Sequence, residues 1–219
     1  LESLASAHSV LDANERKLGV ILVDIGGGTT DIVAFKKGSM YYTSVIPIGG
    51  FQFTNDISVT YNTSYQQAEM IKLQYANTEP ASIDMTAELS LAIHGSAAEI
   101  RVPRREICQL TRERALELIR LIDLKLQEAG IRDDPHAQIV MTGGASTLPG
   151  LHNMISQLIP NSVRVGSPGN HRGLPDELKA PAYATGVGIL LWGLKQERAA
   201  IRSAESAGRF FHSDRNFLS

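Results

Sequence analysis

Residues 20–35 constrain the fold more than any other stretch. An apolar run ends in Asp24, then come Gly26, Gly27 and Gly28, and Thr29, Thr30 and Asp31 lead into a second apolar run. Both flanks are rich in Val and Ile and lack helical periodicity, which predicts strand, tight glycine turn, strand. Glycine permits positive φ and leaves room for another group against the backbone. Successive amides at such a turn converge into an anion-binding concavity, and the hydroxyls of Thr29 and Thr30 add donors. Asp24, at the strand end, is placed to hold a hydrated Mg²⁺ through water. A P-loop would need Gly-Lys-Ser/Thr at the end of its glycine run, and no lysine stands there. A dinucleotide fingerprint would need a helix after the glycines, whereas residues 31–35 read as strand. The stretch reads as a phosphate-binding hairpin.

The chain has 219 residues, enough for one large domain or two small ones, and its 43% apolar and 20% charged content is that of a globular protein. A net charge of −2 argues against general nucleic-acid binding. The lone Cys108 forms no intrachain disulfide, and the six histidines lack metal-ligand spacing. No signal peptide is evident, and the longest apolar stretch, residues 186–194, is too short to span a bilayer.

Residues 1–11 have helical spacing, and 12–17 read as a charged connector. Residues 40–46 are expected to form a third strand. Helices are expected over 53–61 and 65–75, the second capped by Asn62 or Thr63. Glu69 and Lys72, three apart, share a face of that second helix, a spacing that by itself fits a surface pair. Leu89, Leu91 and Ile93 alternate before Gly95, and 100–102 can return as a hairpin partner. A long helix is expected over 104–129, with Gly130 as its stop. Residues 101–120 carry six arginines against three glutamates, either a solvated helix face or a docking surface for an acidic partner.

Residues 139–151 again run a strand into glycines, here with a helix behind. Gly143 and Gly144 would let a flat ligand approach the backbone at a strand end. A short strand at 163–165 and a polar loop at 166–181 follow. Residues 182–195 then read as a buried helix in which Ala184, Gly186 and Gly188 permit close packing, and from Lys195 the chain reads as a flexible tail.

The stretches at 24–32 and 142–146 resemble the second phosphate loop and the adenosine loop of the actin, Hsp70 and sugar-kinase superfamily. Leu4-Ala5-Ser6-Ala7, Val45-Ile46-Pro47-Ile48-Gly49-Gly50, Thr54-Asn55-Asp56-Ile57, residues 139–150 and Val163-Arg164-Val165-Gly166 narrow the resemblance to the bacterial cell-division FtsA family, covering roughly residues 1–192. MreB shares a similar first loop but is less like the later motifs.

The resemblance implies an α/β, actin-like (ribonuclease H-like) ATPase half with a mixed sheet plus an inserted α+β subdomain. Residues 1–19 would be the remnant of a preceding lobe, 20–50 with 131–194 the sheet subdomain, 51–130 the insert and 195–219 the tail. Family members bind ATP and Mg²⁺ between two halves, polymerise, receive the FtsZ tail and anchor it at the cytoplasmic face of the inner membrane at the division site. In that picture Gly26, Gly27, Gly28, Thr29 and Thr30 hold phosphates, and Asp24 serves the magnesium. Glu69 and Lys72 reach the ribose or adenine, and Gly143, Gly144 and Ala145 line the base. Arg104, Arg112 and Arg120 would receive the FtsZ tail. The expectation is a scaffold with at most weak ATPase activity when the other lobe is present. Its rivals are a phosphotransferase or chaperone-type ATPase of the superfamily, an MreB-like protein, and a pilus-type actin-like platform.

Overall fold

The computed structural model describes residues 2–213 except 135, 136, 170 and 172; for 199 and 201–213 only the course of the backbone is described. In order the elements are α1 (Glu2–Val10), α2 (Ala13–Leu18), β1 (Val20–Ile25), β2 (Thr30–Lys36), β3 (Ser39–Ile46), α3 (Gly50–Thr60) and α4 (Tyr65–Tyr75). Then follow β4 (Glu88–Ala92), β5 (Glu99–Pro103), α5 (Arg104–Glu128), β6 (Gln138–Thr142), α6 (Leu151–Leu158), β7 (Val163–Val165) and α7 (Ala184–Ser213).

One mixed sheet has the order β3-β2-β1-β6-β7. β1, β2 and β3 form an antiparallel meander, whereas β6 lies parallel to β1 and β7 parallel to β6. Central β1 is buried at every position, as the near-continuous apolar run requires of a strand covered on both faces. Side chains alternate across a strand, so Ile21, Val23 and Ile25 enter the larger core with α5 and α6. Val20 and Leu22 enter the smaller core against Ala7 and Leu11. Asp24 shares that second face, a parity that decides its role below.

A two-stranded β4–β5 hairpin and helices α3 and α4 build a third core from Ile57, Ala68, Ile71, Leu91, Val102 and Ile107. Helix α5 belongs to both units. Ile107 lies in the hairpin core, while Ala115, Leu118, Ile119, Ile122 and Leu126 lie in the sheet core. At 1.5 Å per residue this 25-residue helix is about 37 Å long, enough to span the two. The boundary expected near residue 130 therefore falls inside α5.

Four further expectations change. Residues 12–17 are no bare connector: Asp12 and Glu15 form a reciprocal capping box on α2. Helix α1, just before α2, packs along α7 and on the sheet. Ser64, rather than Asn62 or Thr63, caps α4 by accepting from the Gln67 amide. The helix expected to be buried over 182–195 is buried on one side only. Ala184 and Val187 face inward, and Gly188 sits so close to α1 that a Cβ would stand 1.8 Å from the Ala5 carbonyl oxygen. Ile189, Leu190, Trp192 and Leu194 are exposed. The helix also continues past Lys195 to Ser213, and the apolar tail residues Phe217 and Leu218 lie outside the described residues. No helix among the described residues is long and apolar enough to cross a membrane.

Candidate functional site

The turn between β1 and β2 closes with the Gly26 amide donating to the Thr29 carbonyl at 2.9 Å. The first amides of α3 need acceptors from outside the helix. Here Gly50 donates to the Gly26 carbonyl at 2.9 Å and Phe51 to the Gly27 carbonyl at 2.7 Å. That approach needs Gly49, where a Cβ would lie 2.7 Å from both turn carbonyls. With its carbonyls committed to α3, the turn presents Gly27 and Gly28 to solvent. Among the described residues their amides have no intramolecular partner. The two threonines behave otherwise than expected. Thr30 is fully buried and donates to the Ile48 carbonyl at 2.7 Å, so its hydroxyl supports the turn from behind and is no phosphate donor. Thr29 donates to the Asp31 carboxylate at 3.0 Å.

A cleft of about 380 Å³ runs from this turn to the start of α6. Gly26, Gly27 and Phe51 line one end, Glu69 and Lys72 one flank, and Gly144 and Ala145 the other. These segments lie far apart in sequence, and the sheet order brings β1 and β6 side by side so that both glycine turns leave the same sheet edge. Gly143 is beneath the cleft rather than in its wall. Its amide donates to the Pro181 carbonyl at 3.2 Å.

Lys72 is nearly enclosed, with 13% of its side chain exposed, and all three ammonium donors are used. They reach Glu69 at 2.7 Å, the Thr54 hydroxyl at 2.9 Å and the Gly50 carbonyl at 3.1 Å. Thr54 also donates to the same Glu69 oxygen, Oε2. Burial pushes the Glu69 carboxyl upward, but the hydrogen bonds from Lys72 and Thr54 and the lysine charge outweigh it, so Glu69 sits below its ordinary pKa. Glu69 thus stays ionised and lines the cleft, and because both of these bonds fall on Oε2, Oε1 is left to accept from a sugar hydroxyl or an amine. Lys72 orients Glu69 and ties α4 to α3.

Asp24 does not line the cleft. The residue is 7% exposed, and its carboxylate accepts from Ser6 of α1 and, at 3.3 Å, from Thr185 of α7. Strand parity turns it to the α1–α7 face. Burial, together with Asp31 directly opposite on β2 and nearby Glu2, raises its pKa above the ordinary value despite those two hydrogen bonds. Both bonds fall on Oδ2, so Oδ1, which lies beside Gly143, is the oxygen that would serve the hydrated magnesium expected at Asp24.

The three expected docking arginines also differ from one another. Arg104 donates to the Tyr75 carbonyl at 3.0 Å and lies over the Tyr75 ring, and Arg112 donates to the Thr78 carbonyl at 3.0 Å. Together they pin the end of α4 and the segment after it onto α5. Arg120 is exposed. Arg114 is engaged by Asp56 through two nitrogens, at 2.7 and 2.8 Å, and also by Glu117. Residues that sequence reasoning missed are Phe51, Thr54, Ser6 and Thr185. Thr54 lies four positions after Gly50 on α3, a spacing that could have signalled a shared helix face; the others depend on long-range packing.

Sheet order, inserted subdomain and cleft together define an actin-like fold. Two solved structures share it: MreB5 of Spiroplasma citri bound to ADP, with a TM-score of 0.67, 17% identity and coverage of 91% of this chain and 60% of that one; and a PilM-PilN type IV pilus biogenesis complex, with a TM-score of 0.66, 20% identity and coverage of 88% and 52%. Within that class the family is specific. The family model for cell division protein FtsA matches residues 21–188, and the chain belongs to this family. It is 38% identical over 214 residues to the FtsA of Pseudomonas aeruginosa, covering 98% of this chain and 51% of the relative. It is 35% identical to that of Bacillus subtilis, covering 90% and 44%, and 34% identical to that of Escherichia coli K12, covering 87% and 47%. The chain spans about half the length of the curated relatives it matches.

Proposed function

We propose that this chain supplies one wall of an ATP-binding cleft in a cell-division scaffold that links FtsZ to the inner membrane and assembles with copies of itself. The observation that carries this reading is the convergence of the glycine turn at Gly26 and Gly27, the ionised Glu69 and the Gly144–Ala145 turn on one cleft in a chain of the FtsA family. Phosphates would lie at Gly27 and Gly28, the ribose at Glu69, and the base against Gly144 and Ala145. The site holds nucleotide as a structural ligand, with turnover weak at most. The FtsZ tail would dock along the exposed part of α5 that includes Arg120, and membrane attachment would use the chain beyond α7.

The relatives are about twice as long, so a second wall would contribute further phosphate donors. Two or three charge-assisted hydrogen bonds, each worth about 1.5–3 kcal/mol, amount to a factor of roughly a hundred or more in affinity. Calorimetry should find ATP binding by this chain weaker than micromolar, and at least about a hundredfold tighter in a protein carrying both halves. Micromolar binding by this chain alone, or none by the longer protein, would overturn the reading.

A further inference from the structure

Phe51 is a large apolar side chain left 57% exposed in the first turn of α3, at the phosphate end of the cleft. Its amide is fixed to the Gly27 carbonyl at 2.7 Å, so the ring can move only by side-chain rotation. The ring lies over the glycine turn, with Cζ 3.3 Å from where a Cβ on Gly27 would stand and Cδ2 3.9 Å from the corresponding point on Gly28. An edge-to-face contact with Tyr65 of α4 holds it there, centroids 6.4 Å apart and planes at 71°. The two glycines it overlies are those with unpartnered amides.

We infer that Phe51 is a specificity-determining residue that grades ligands of this cleft by their phosphates. This rests on the nucleotide reading above. A benzene ring carries partial negative charge on its face and offers no hydrogen bond, so it is a poor neighbour for a hydrated polyphosphate. Phosphates at Gly27 and Gly28 lie against the ring, which either stays as their apolar neighbour or swings aside and gives up its contacts with the turn and with Tyr65. A nucleoside without phosphates occupies only the Glu69 and Gly144–Ala145 end and leaves the ring in place. The cleft therefore binds ATP and ADP less tightly, relative to adenosine, than it would without the ring.

The test is an NMR titration of this chain with adenosine, ADP and ATP at millimolar concentrations. Amides of Gly144 and Ala145 report the base end, and those of Gly27 and Gly28 the phosphate end. Phe51→Asn should bind ATP and ADP about three- to tenfold more tightly, the scale of one aromatic contact, with adenosine affinity unchanged. Phe51→Tyr, which keeps the ring, should match the parent chain. If adenosine and ATP both bind but Phe51→Asn leaves ATP affinity unchanged or lower, the role of Phe51 is refuted and the nucleotide site stands. Equal tightening of adenosine and ATP would likewise refute discrimination by phosphate. If no ligand shifts Gly144 or Ala145 in any variant, the nucleotide reading fails and this inference falls with it.

Discussion

Gly143 and Asp24 approach more closely than any residue but glycine allows at position 143. A Cβ there would stand 2.4 Å from Asp24 Oδ1 and 2.5 Å from the Ile25 carbonyl oxygen. The backbone, at φ 85° and ψ 163°, is itself in a region nearly exclusive to glycine. Strain and overlap each cost about 1–3 kcal/mol, so Gly143→Ala should lower unfolding stability by roughly 2–6 kcal/mol. Its neighbour Gly144 has room, with Ala182 Cβ at 3.6 Å, and Gly144→Ala should change stability by less than about 1 kcal/mol. Urea unfolding of the two variants separates these outcomes.

Asp24 and Glu69 should respond to pH in opposite directions. The folded Asp24 pKa is raised, chiefly by burial, above its ordinary 3.8. Its contribution is therefore complete below that value and is lost as pH rises through the folded pKa. The folded Glu69 pKa is lowered below 4.5 because its hydrogen bonds and the lysine charge outweigh burial. Its contribution is present above 4.5 and is lost as pH falls through the folded pKa. Asp24→Asn should flatten the decline in unfolding midpoint on the alkaline side of about pH 4, and Glu69→Gln the decline on the acid side. Denaturant midpoints between about pH 3 and 7 give both slopes, and a parallel change in the two variants would contradict the assignment.

Lys72 holds three acceptors on two helices, so its removal should be felt in stability before ligand binding is considered. Lys72→Met keeps the side-chain length but leaves the Gly50 carbonyl and the Glu69 carboxylate without their cation. We expect a loss of roughly 1–3 kcal/mol, read by thermal or urea unfolding. Glu69→Gln, which retains a carbonyl oxygen for Thr54, should lose less.

Arg112 and Arg120 should separate structure from recognition. Arg112→Ala removes the donor to the Thr78 carbonyl and should cost about 1–2 kcal/mol of stability, whereas Arg120→Ala should stay within about 0.5 kcal/mol. Arg112→Glu should therefore perturb the fold as well, contrary to the expectation of a freely exposed arginine. For binding of an acidic FtsZ-tail peptide, Arg120→Glu should weaken the complex several-fold at low salt, with the difference shrinking as salt is added. Fluorescence anisotropy at two ionic strengths measures this, and unchanged affinity for Arg120→Glu would leave α5 without a docking role.

The sequence alone determined the elements whose pattern is local. Residues 20–46 form Val- and Ile-rich runs without helical periodicity that turn at glycines, which is enough to specify the β1–β2–β3 meander, and the apolar spacing from Ile107 to Leu126 is enough to specify α5. The turns at Gly26–Gly28 and Gly143–Gly144 and the Glu69–Lys72 pair could be nominated for the same reason, since each is a short-range signature. What each side chain does there was decided only by tertiary structure. Thr29 and Thr30 are adjacent and chemically alike, yet strand parity puts the Thr30 hydroxyl on the Ile48 carbonyl inside the protein. Asp24 stands one residue before the end of β1, next to the phosphate turn, but α1 and α7, which come from opposite ends of the chain, claim Oδ2 of its carboxylate. Arg104, Arg112 and Arg120 lie at eight-residue intervals on one helix, and only the end of α4 and the segment after it, crossing the first two, distinguish them from the third. A hydrogen bond belongs to whichever partner the fold brings within about 3 Å, and such partners here lie 18, 34 and 161 residues away.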